Sequence, residues 1–507
     1  MEAYQSANKR IIKNTMLMYI RMLISMVVSL YTTRVVIQAL GVSDYGIFNV
    51  VSGFVTMLAF INGSMVASTR RYLTISIAND SIEQQKQVFS TSFYIHLGIS
   101  LLITLVAVTF GYWFIEHKMV VPVEQVGTTK WVFTFSLFSI LALCLTVPHN
   151  ALVIANEKMG VFSILSLVDV FFKLAIAIAI ARVNSDRLII YAFLYNFTAV
   201  IVRLLYVWYC HRNFANVSYK CSMDLSLYKK MISFATYNVY SILALSTYQQ
   251  GINILLNMFF NPIVNAARGV AVQVQGIATV LASNFQQAVD PQITKNHATG
   301  DNLRMLSLIY KSSKISYILV FLITFPIIVE TEFILKLWLG TIPEYTIRFV
   351  QLSLCIVLLD VITNPLTTAV LASGYIKKYQ IVVGSFLLSI VVMAYIALKI
   401  GISPVGVYVI NVIMIFLLFL IKLFMAAPLI KMTLSEYCKD SVIPAMLFTI
   451  LSILIYTCLY YIFGHNLSII NVLYALLAVF ISAYVCGLTK SEKEQVFSLL
   501  RSKYANK

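Results

Sequence analysis

The stretch SPVGVYVINVIMIFLLFLIKLFMAA, residues 403–427, decides the fold class of this chain. It holds one ionisable residue, Lys422, and is long enough for a helix to cross a ~30 Å hydrocarbon core, which takes roughly 20 residues. Similar runs fall near 15–38, 45–68, 88–115, 131–154, 161–182, 188–210, 233–257, 264–288, 313–339, 346–373, 380–399, 442–463 and 468–488, fourteen in all. Each is about twice the length of a barrel strand, and irregular backbone cannot face lipid, so each reads as a transmembrane helix. The composition agrees. Hydrophobic residues make up 60% and charged residues 11%, where a soluble chain carries about a quarter charged. The expected fold is all-α and integral to the membrane, with about 14 transmembrane helices.

The connectors set the orientation. With the N-terminus inside, 24 Lys and Arg fall on the inner side, among them Lys9, Arg10, Arg70, Arg71, Lys229, Lys230, Lys377 and Lys378. Seven fall outside: Lys118, Lys130, Arg182, Arg187, Lys336, Arg348 and Lys399. Cytoplasmic loops collect positive charge in this way, so both termini are expected in the cytoplasm. The first run begins near Met16 without a small-residue cleavage site and is expected to be retained as a span.

The net charge of +17 raises the question of nucleic acid, but the excess is clustered on no soluble stretch, so no such partner is expected. Seven cysteines are scattered without CxxC spacing and indicate neither a zinc site nor a disulfide framework. Walker A, HExxH and GxSxG patterns are absent, the six histidines are dispersed, and no connector exceeds roughly 25 residues. Neither an enzyme nor a cofactor is expected, and energy would come from an ion gradient or a partner.

The fourth and tenth runs end alike, as Pro148-His-Asn-Ala-Leu-Val-Ile-Ala155 and Pro365-Leu-Thr-Thr-Ala-Val-Leu-Ala372. The first and seventh both lead through a short turn into the next helix, at Leu40-Gly-Val-Ser-Asp-Tyr-Gly46 and Phe259-Phe-Asn-Pro-Ile-Val-Asn265. The repeat suggests a six-helix lobe over 1–222, a second over 223–432, and a helix pair with a cytoplasmic tail over 433–507. Parallel six-helix repeats are a transporter architecture, with substrate held between the lobes.

Ionisable residues within spans are costly and point to function. They are Arg21, Arg34, Asp169, Lys173, Arg203, Arg268, Asp360 and Lys422, six of the eight basic. A cavity so lined should prefer an anion, and guanidinium matches phosphate oxygens in bidentate geometry. Against this, Arg34, Arg203, Arg268 and Lys422 lie within about two turns of a helix end, where long side chains reach the headgroups. Asp169 and Lys173, spaced i,i+4, can neutralise each other. Asp360, without a cationic neighbour in sequence, is the leading candidate for a protonatable coupling residue, with Asp169 and Lys173 beside it.

The seventh and eighth runs carry Tyr237, Asn238, Tyr240, Ser241, Tyr248, Gln249, Gln250, Asn253 and Asn257, then Gln273, Gln275, Ser283, Asn284, Gln286 and Gln287. So many amides and phenols are expensive against lipid. A polar lumen for sugar hydroxyls explains them, as does hydrogen bonding between helices. Because they occupy more than one face, the lumen is preferred, with Gln249, Gln250, Asn253 and Gln273 as substrate contacts.

The opening segment, with Arg34 followed by Gln38-Ala-Leu-Gly-Val-Ser-Asp-Tyr-Gly-Ile-Phe-Asn49, resembles the start of Wzx-type polysaccharide repeat-unit flippases, members of the multidrug/oligosaccharidyl-lipid/polysaccharide exporter superfamily. Asn284-Phe-Gln-Gln-Ala-Val-Asp-Pro291 resembles a second feature of that family. The resemblance implies alternating access and a cationic cavity for the pyrophosphate of an undecaprenyl-linked oligosaccharide, faced by Arg21, Arg34 and Arg268. Partners would be the lipid-linked oligosaccharide, membrane lipids, a proton or sodium ion, and a polysaccharide polymerase. The alternatives are a drug or cation antiporter of the same superfamily, a peptidoglycan-precursor flippase, and a membrane polysaccharide polymerase.

Overall fold

A computed structural model describes residues 2–58, 81–156, 158–183, 185–215, 224–298, 300–373, 376–463 and 468–487, with single positions between 65 and 77 and at 217 and 219. Arg70, Arg71 and the tail from 488 onward lie outside the described residues, as do the side chains of Tyr237, Asn238, Ser241, Asn284 and Gln287.

The described residues are helical almost throughout. In chain order the helices are α1 (Glu2–Leu40), α2 (Val42–Leu58), α3 (Ile82–His117, with a π-turn at Ala107–Gly111), α4 (Val126–Ala155), α5 (Met159–Ile180), α6 (Arg187–Asn213) and α7 (Leu225–Phe259). There follow α8 (Pro262–Ala298), α9 (Asn302–Val329), α10 (Thr331–Leu339), α11 (Thr346–Ser373), α12 (Ile376–Lys399), α13 (Pro404–Leu429), α14 (Leu434–Phe463) and α15 (Ser468–Gly487). Over the described residues the fourteen apolar runs lie on helices, and eleven of the described helices are long and apolar enough to cross a membrane. The remaining three long helices are α2, described over 17 residues, and the amide-rich α7 and α8, whose polar content dilutes their hydropathy.

One expectation is corrected. The run 313–339 is not a single span. The helix stops at Glu330, whose N–H bonds back to the Pro326 carbonyl, and α10 begins at Thr331. The Glu330 carboxylate accepts a hydrogen bond from Asn471 of α15 at 2.8 Å, which pins the break. The break falls on the polar triplet Glu330-Thr331-Glu332, between flanks apolar enough to read as one run.

Helix starts follow from capping chemistry, in which a side-chain oxygen takes up an orphan N–H of the first turn. Asp186 accepts from Ile189 N at α6, Asp224 from Ser226 and Leu227 N at α7, and Ser403 from Gly406 N at α13 with Pro404 in the first turn. The α1–α2 break needs only Gly41, at φ +86°, which a side chain would strain. The α7–α8 break has Asn261 ahead of Pro262, which lacks the N–H that would continue a helix. Pro148 and Pro365 both lie inside helices, α4 and α11.

The chain divides into two compact units. The first comprises residues 1–269, 338–344 and 387–395. In it α1 lies along α5, α4 along α6, and α2 packs on α4 and α7. Its core joins Phe89 of α3, Leu152 of α4, and Val202 and Tyr206 of α6. The second comprises residues 270–337, 345–386 and 396–507. There α11 packs between α9 and α13, and α15 packs on α9 and α14. Its core includes Ile309, Leu366, Leu423 and Tyr437. Large side chains such as Leu447, Ile450, Leu454, Leu473 and Phe480 stay exposed, and would be anomalous facing water. Lipid is the solvent that accommodates them.

Candidate functional site

The first unit places charge inside the membrane span at the contact of α1, α5 and α6. Arg21 of α1 lies with its guanidinium 5.1 Å from the Phe162 ring of α5, a cation–π contact. The Tyr206 hydroxyl of α6 is within electrostatic range of Arg203, Arg21 and Asp169. Asp169 accepts from Lys173 at 2.7 Å, and the Lys173 ammonium sits 4.5 Å from the Tyr195 ring. The i,i+4 pair expected from sequence is therefore formed. It neutralises itself, so the two arginines are the net charge of the cluster. The buried Nε atoms of Arg21 and Arg203 have no hydrogen-bond partner among the described residues. Two guanidinium groups with donor capacity unspent are suited to an anion with several oxygens.

Arg34 and Arg268 belong elsewhere. Residues 21 and 34 share one continuous helix, so their Cα atoms are separated by roughly 20 Å along its axis. Arg268 lies one to two turns into α8, with its guanidinium donating to the Gln249 carbonyl of α7. Gly46 and Pro262 are in contact, which brings the α1–α2 and α7–α8 turns together. Arg34 and Arg268, each six residues from its turn, thus share a level that Arg21 does not.

At that turn end α2 closes tightly on α7 and α8. A Cβ at Gly46 would overlap the Pro262 carbonyl. One at Gly53 would lie 2.5 Å from the Gln250 Oε1 and 2.8 Å from the Asn253 Nδ2, and one at Gly269 2.8 Å from the Asn49 Nδ2. Asn253 is buried, donates to the Asn49 carbonyl at 3.4 Å, and accepts from Asn265 at 2.7 and 2.8 Å. Asn257 pairs with both backbone groups of Val120, at 3.1 and 3.3 Å. Two further ties, Trp338 Nε1 to the Leu30 carbonyl at 2.7 Å and Gln38 Nε2 to the Leu339 carbonyl at 3.3 Å, hold the end of α1. Asn253 and Asn257 thus serve helix–helix bonding, while Gln249 is exposed and Gln250 half-buried. Gln273, half-buried on α8, belongs to the second unit. Sequence reasoning missed the seam because its signal, glycines at 46, 53 and 269 on three levels, means nothing until the facing helix is known.

In the second unit Asp360 of α11 is not alone. Lys422 of α13 donates to its Oδ1 at 3.1 Å, with side-chain exposures of 43% and 12%. The ammonium that sequence would send to the headgroups is instead buried against a carboxylate 62 residues away in the chain. Nearby, Tyr379 and Thr367 hydroxyls are 3.0 Å apart, and Thr368 donates to Asp290 at 3.0 Å. Replacing Asp360 by Asn leaves the Lys422 charge buried without a counterion. We expect a stability loss on the order of 2 kcal/mol, below the ~3–5 kcal/mol of fully buried pairs because Asp360 is partly exposed. D360N/K422M should recover most of it in a thermal-unfolding assay in detergent. A double variant no more stable than D360N would show that the pair carries no structural weight.

With this geometry in place, the sequence can be set beside known proteins. A family model described as polysaccharide biosynthesis protein matches residues 8–297, more than half of the chain. The chain belongs to that family. No curated protein sequence matches it. Among solved structures it resembles the lipid II flippase MurJ in an inward closed conformation, with a TM-score of 0.65 at 13% identity, covering 93% of this chain and 98% of that one. It also resembles an inward-facing multidrug resistance MATE family transporter of the MOP superfamily, with a TM-score of 0.63 at 13% identity, covering 82% and 96%. A MOP superfamily transporter from Pyrococcus furiosus, described as having a binding pocket of reverse polarity, matches at 0.56 and 14%, covering 83% and 96%. At these identities the likeness shows the fold: this is a multi-pass membrane protein of polysaccharide biosynthesis with the MATE and MurJ architecture.

Proposed function

We propose that the protein is a flippase that moves undecaprenyl-pyrophosphate-linked oligosaccharide repeat units across the bacterial inner membrane by alternating access. The observation that carries this reading is the α1–α5–α6 cluster, where Arg21 and Arg203 hold buried, unspent guanidinium donors beside a self-neutralised Asp169–Lys173 pair. A pyrophosphate would supply the missing acceptors. Arg21 and the level of Arg34 and Arg268 would meet the phosphates in succession rather than together, because roughly 20 Å of α1 separates them. Gln249, Gln250, Asn253 and Gln273 would contact sugar when the α2–α7–α8 seam opens and releases them. The lobes would be residues 1–222 and 223–432, with 433–507 appended, and both termini in the cytoplasm. Asp360, Asp169 and Lys173 are the candidates for coupling to a proton or sodium ion, and a polysaccharide polymerase would receive the product.

The drug or cation antiporter is the weaker reading. Both acids it would use, Asp169 and Asp360, are already paired with lysines. A peptidoglycan-precursor flippase would use the same cationic chemistry and is separated by whether loss of the gene is lethal. The test is the leaflet distribution of undecaprenyl-linked oligosaccharide in cells with and without the gene. Accumulation on the cytoplasmic face in its absence is expected. An unchanged distribution, with no redundant transporter present, would return the antiporter to first place.

A further inference from the structure

Tyr219, in the connector between α6 and α7, is fastened at the end of the first unit opposite the α1–α2 turn. The Tyr219 hydroxyl lies 2.8 Å from the Nε2 of His149 on α4 and 2.9 Å from the Nε2 of His211 on α6. Its ring meets Phe89 and Phe93 of α3 edge to face, at centroid distances of 5.8 and 4.8 Å. Its carbonyl accepts from the Tyr94 hydroxyl at 2.9 Å. One residue of the connector therefore reaches three helices, and two of its ties are to imidazoles.

The two imidazoles are not equivalent. His149 is buried at 1% exposure, lies edge to face with Phe89 at 5.0 Å, and its carbonyl accepts from the Cys210 thiol at 3.4 Å. His211 is exposed. Their ring centroids are 6.3 Å apart, so a charge on both is disfavoured, and burial reserves the charge for His211. Burial also holds the Tyr219 phenol above its usual range, with the neighbouring Cys210 adding to the effect, so it remains a donor. The phenol has one proton to give. With both imidazoles neutral it donates to one and accepts Nε2–H from the other. When His211 takes up a proton, it must donate from Nε2, the phenol donates to His149, and the same two bonds persist, one of them now charge-assisted. Such a bond is about twice as strong as a neutral one.

We propose that Tyr219, His149 and His211 form a proton-operated clasp that holds the α6–α7 connector more firmly when His211 is protonated. Among the described residues, the other titratable or charged groups around it are Tyr94 on α3, Cys210 on α6, and Arg212, whose guanidinium is turned over the Trp208 ring at 5.6 Å. Asp224, at the far end of the connector, is engaged by Gln87 and by the α7 N-terminus, and the hydrogen bonds from Ser226 hold its carboxyl below the usual range. Among the described residues none of these supplies an anion beside His211 that would make the phenol redundant. The inference stands on the connector alone and goes beyond the transported substrate. Under the two-lobe reading this segment joins the lobes, so the clasp would tie their relative movement to cytoplasmic pH.

Hydrogen–deuterium exchange of the full chain in nanodiscs, read on peptides covering 214–224 and corrected for the intrinsic pH dependence of exchange, tests it. Protection should rise about fivefold from pH 8 to pH 5.5, the increment one charge-assisted bond adds over a neutral one. His211→Gln, on the exposed side, should keep the protection and lose its pH dependence. Tyr219→Phe should lower protection at every pH. Protection that is unchanged with pH in the natural chain, or that still follows pH in H211Q, would overturn the clasp.

Discussion

Arg21→Gln should reduce glycan export by about tenfold to a hundredfold at matched protein level in the membrane, the loss of one or two charge-assisted hydrogen bonds to an anion. Arg21, like Arg203, has a buried and unspent Nε, and its guanidinium lies over the Phe162 ring. Its removal leaves no protein carboxylate stranded, since Asp169 is paired with Lys173, so folding should survive. Arg21→Lys keeps the charge but replaces a planar fork with a point donor, and should fall between the two. Phe162→Leu removes the stacking surface and keeps the guanidinium, and should have a smaller effect than R21Q. Export is read as surface glycan against total. Export in R21Q equal to that of the natural chain would remove Arg21 from the substrate path and leave the cationic cluster a packing feature.

Gly46→Ala should be the most damaging of the seam substitutions. The added methyl meets the Pro262 carbonyl, which is backbone and cannot rotate away, so α2 and the start of α8 must separate. Overpacking of this kind costs about 1–3 kcal/mol, and here the upper end applies because no side chain can yield. At Gly53 the clash is with the ends of the Gln250 and Asn253 side chains, and at Gly269 with Asn49, which can adopt other rotamers at the loss of a hydrogen bond. The expected order of damage is therefore G46A, then G269A and G53A. A cysteine at Gln250, labelled by a membrane-impermeant maleimide, reports the seam directly. Under the proposed orientation G46A should raise labelling severalfold from outside the cell and depress export. Equal labelling in G46A and G53A would mean that this closed arrangement is not one the protein visits in the membrane.

The two substitutions probe different kinds of residue, and they were not equally legible. Helices came from the simplest signal in the sequence. The long apolar runs fall on helices, the run 313–339 on two of them, because lipid leaves the backbone no other way to satisfy its hydrogen bonds. The i,i+4 pair Asp169–Lys173 was legible because its partners share a helix face. Asp360 and Lys422 were not, since their meeting depends on α11 and α13 packing side by side. The amides of α7 show the same limit. Asn253 and Asn257 read as lumen residues from their polarity within a span, and nothing local could show that they also bond to Asn49, Asn265 and Val120.

What the sequence alone determined was whatever depends on neighbours along the chain and on the solvent around it. That covers the membrane class, the helices, the glycine and proline breaks at Gly41 and Pro262, and the presence of buried positive charge. What only the tertiary structure decided was which of those charges share a level, which are neutralised, and where glycine is required by a facing helix. Arg21 and Arg34 lie on one helix and were grouped by type, but a helix rising 1.5 Å per residue holds them roughly 20 Å apart. Gly46 looked like any turn glycine until the Pro262 carbonyl stood against it. Pairing between segments far apart in the chain depends on the simultaneous packing of many side chains, and no local pattern carries it.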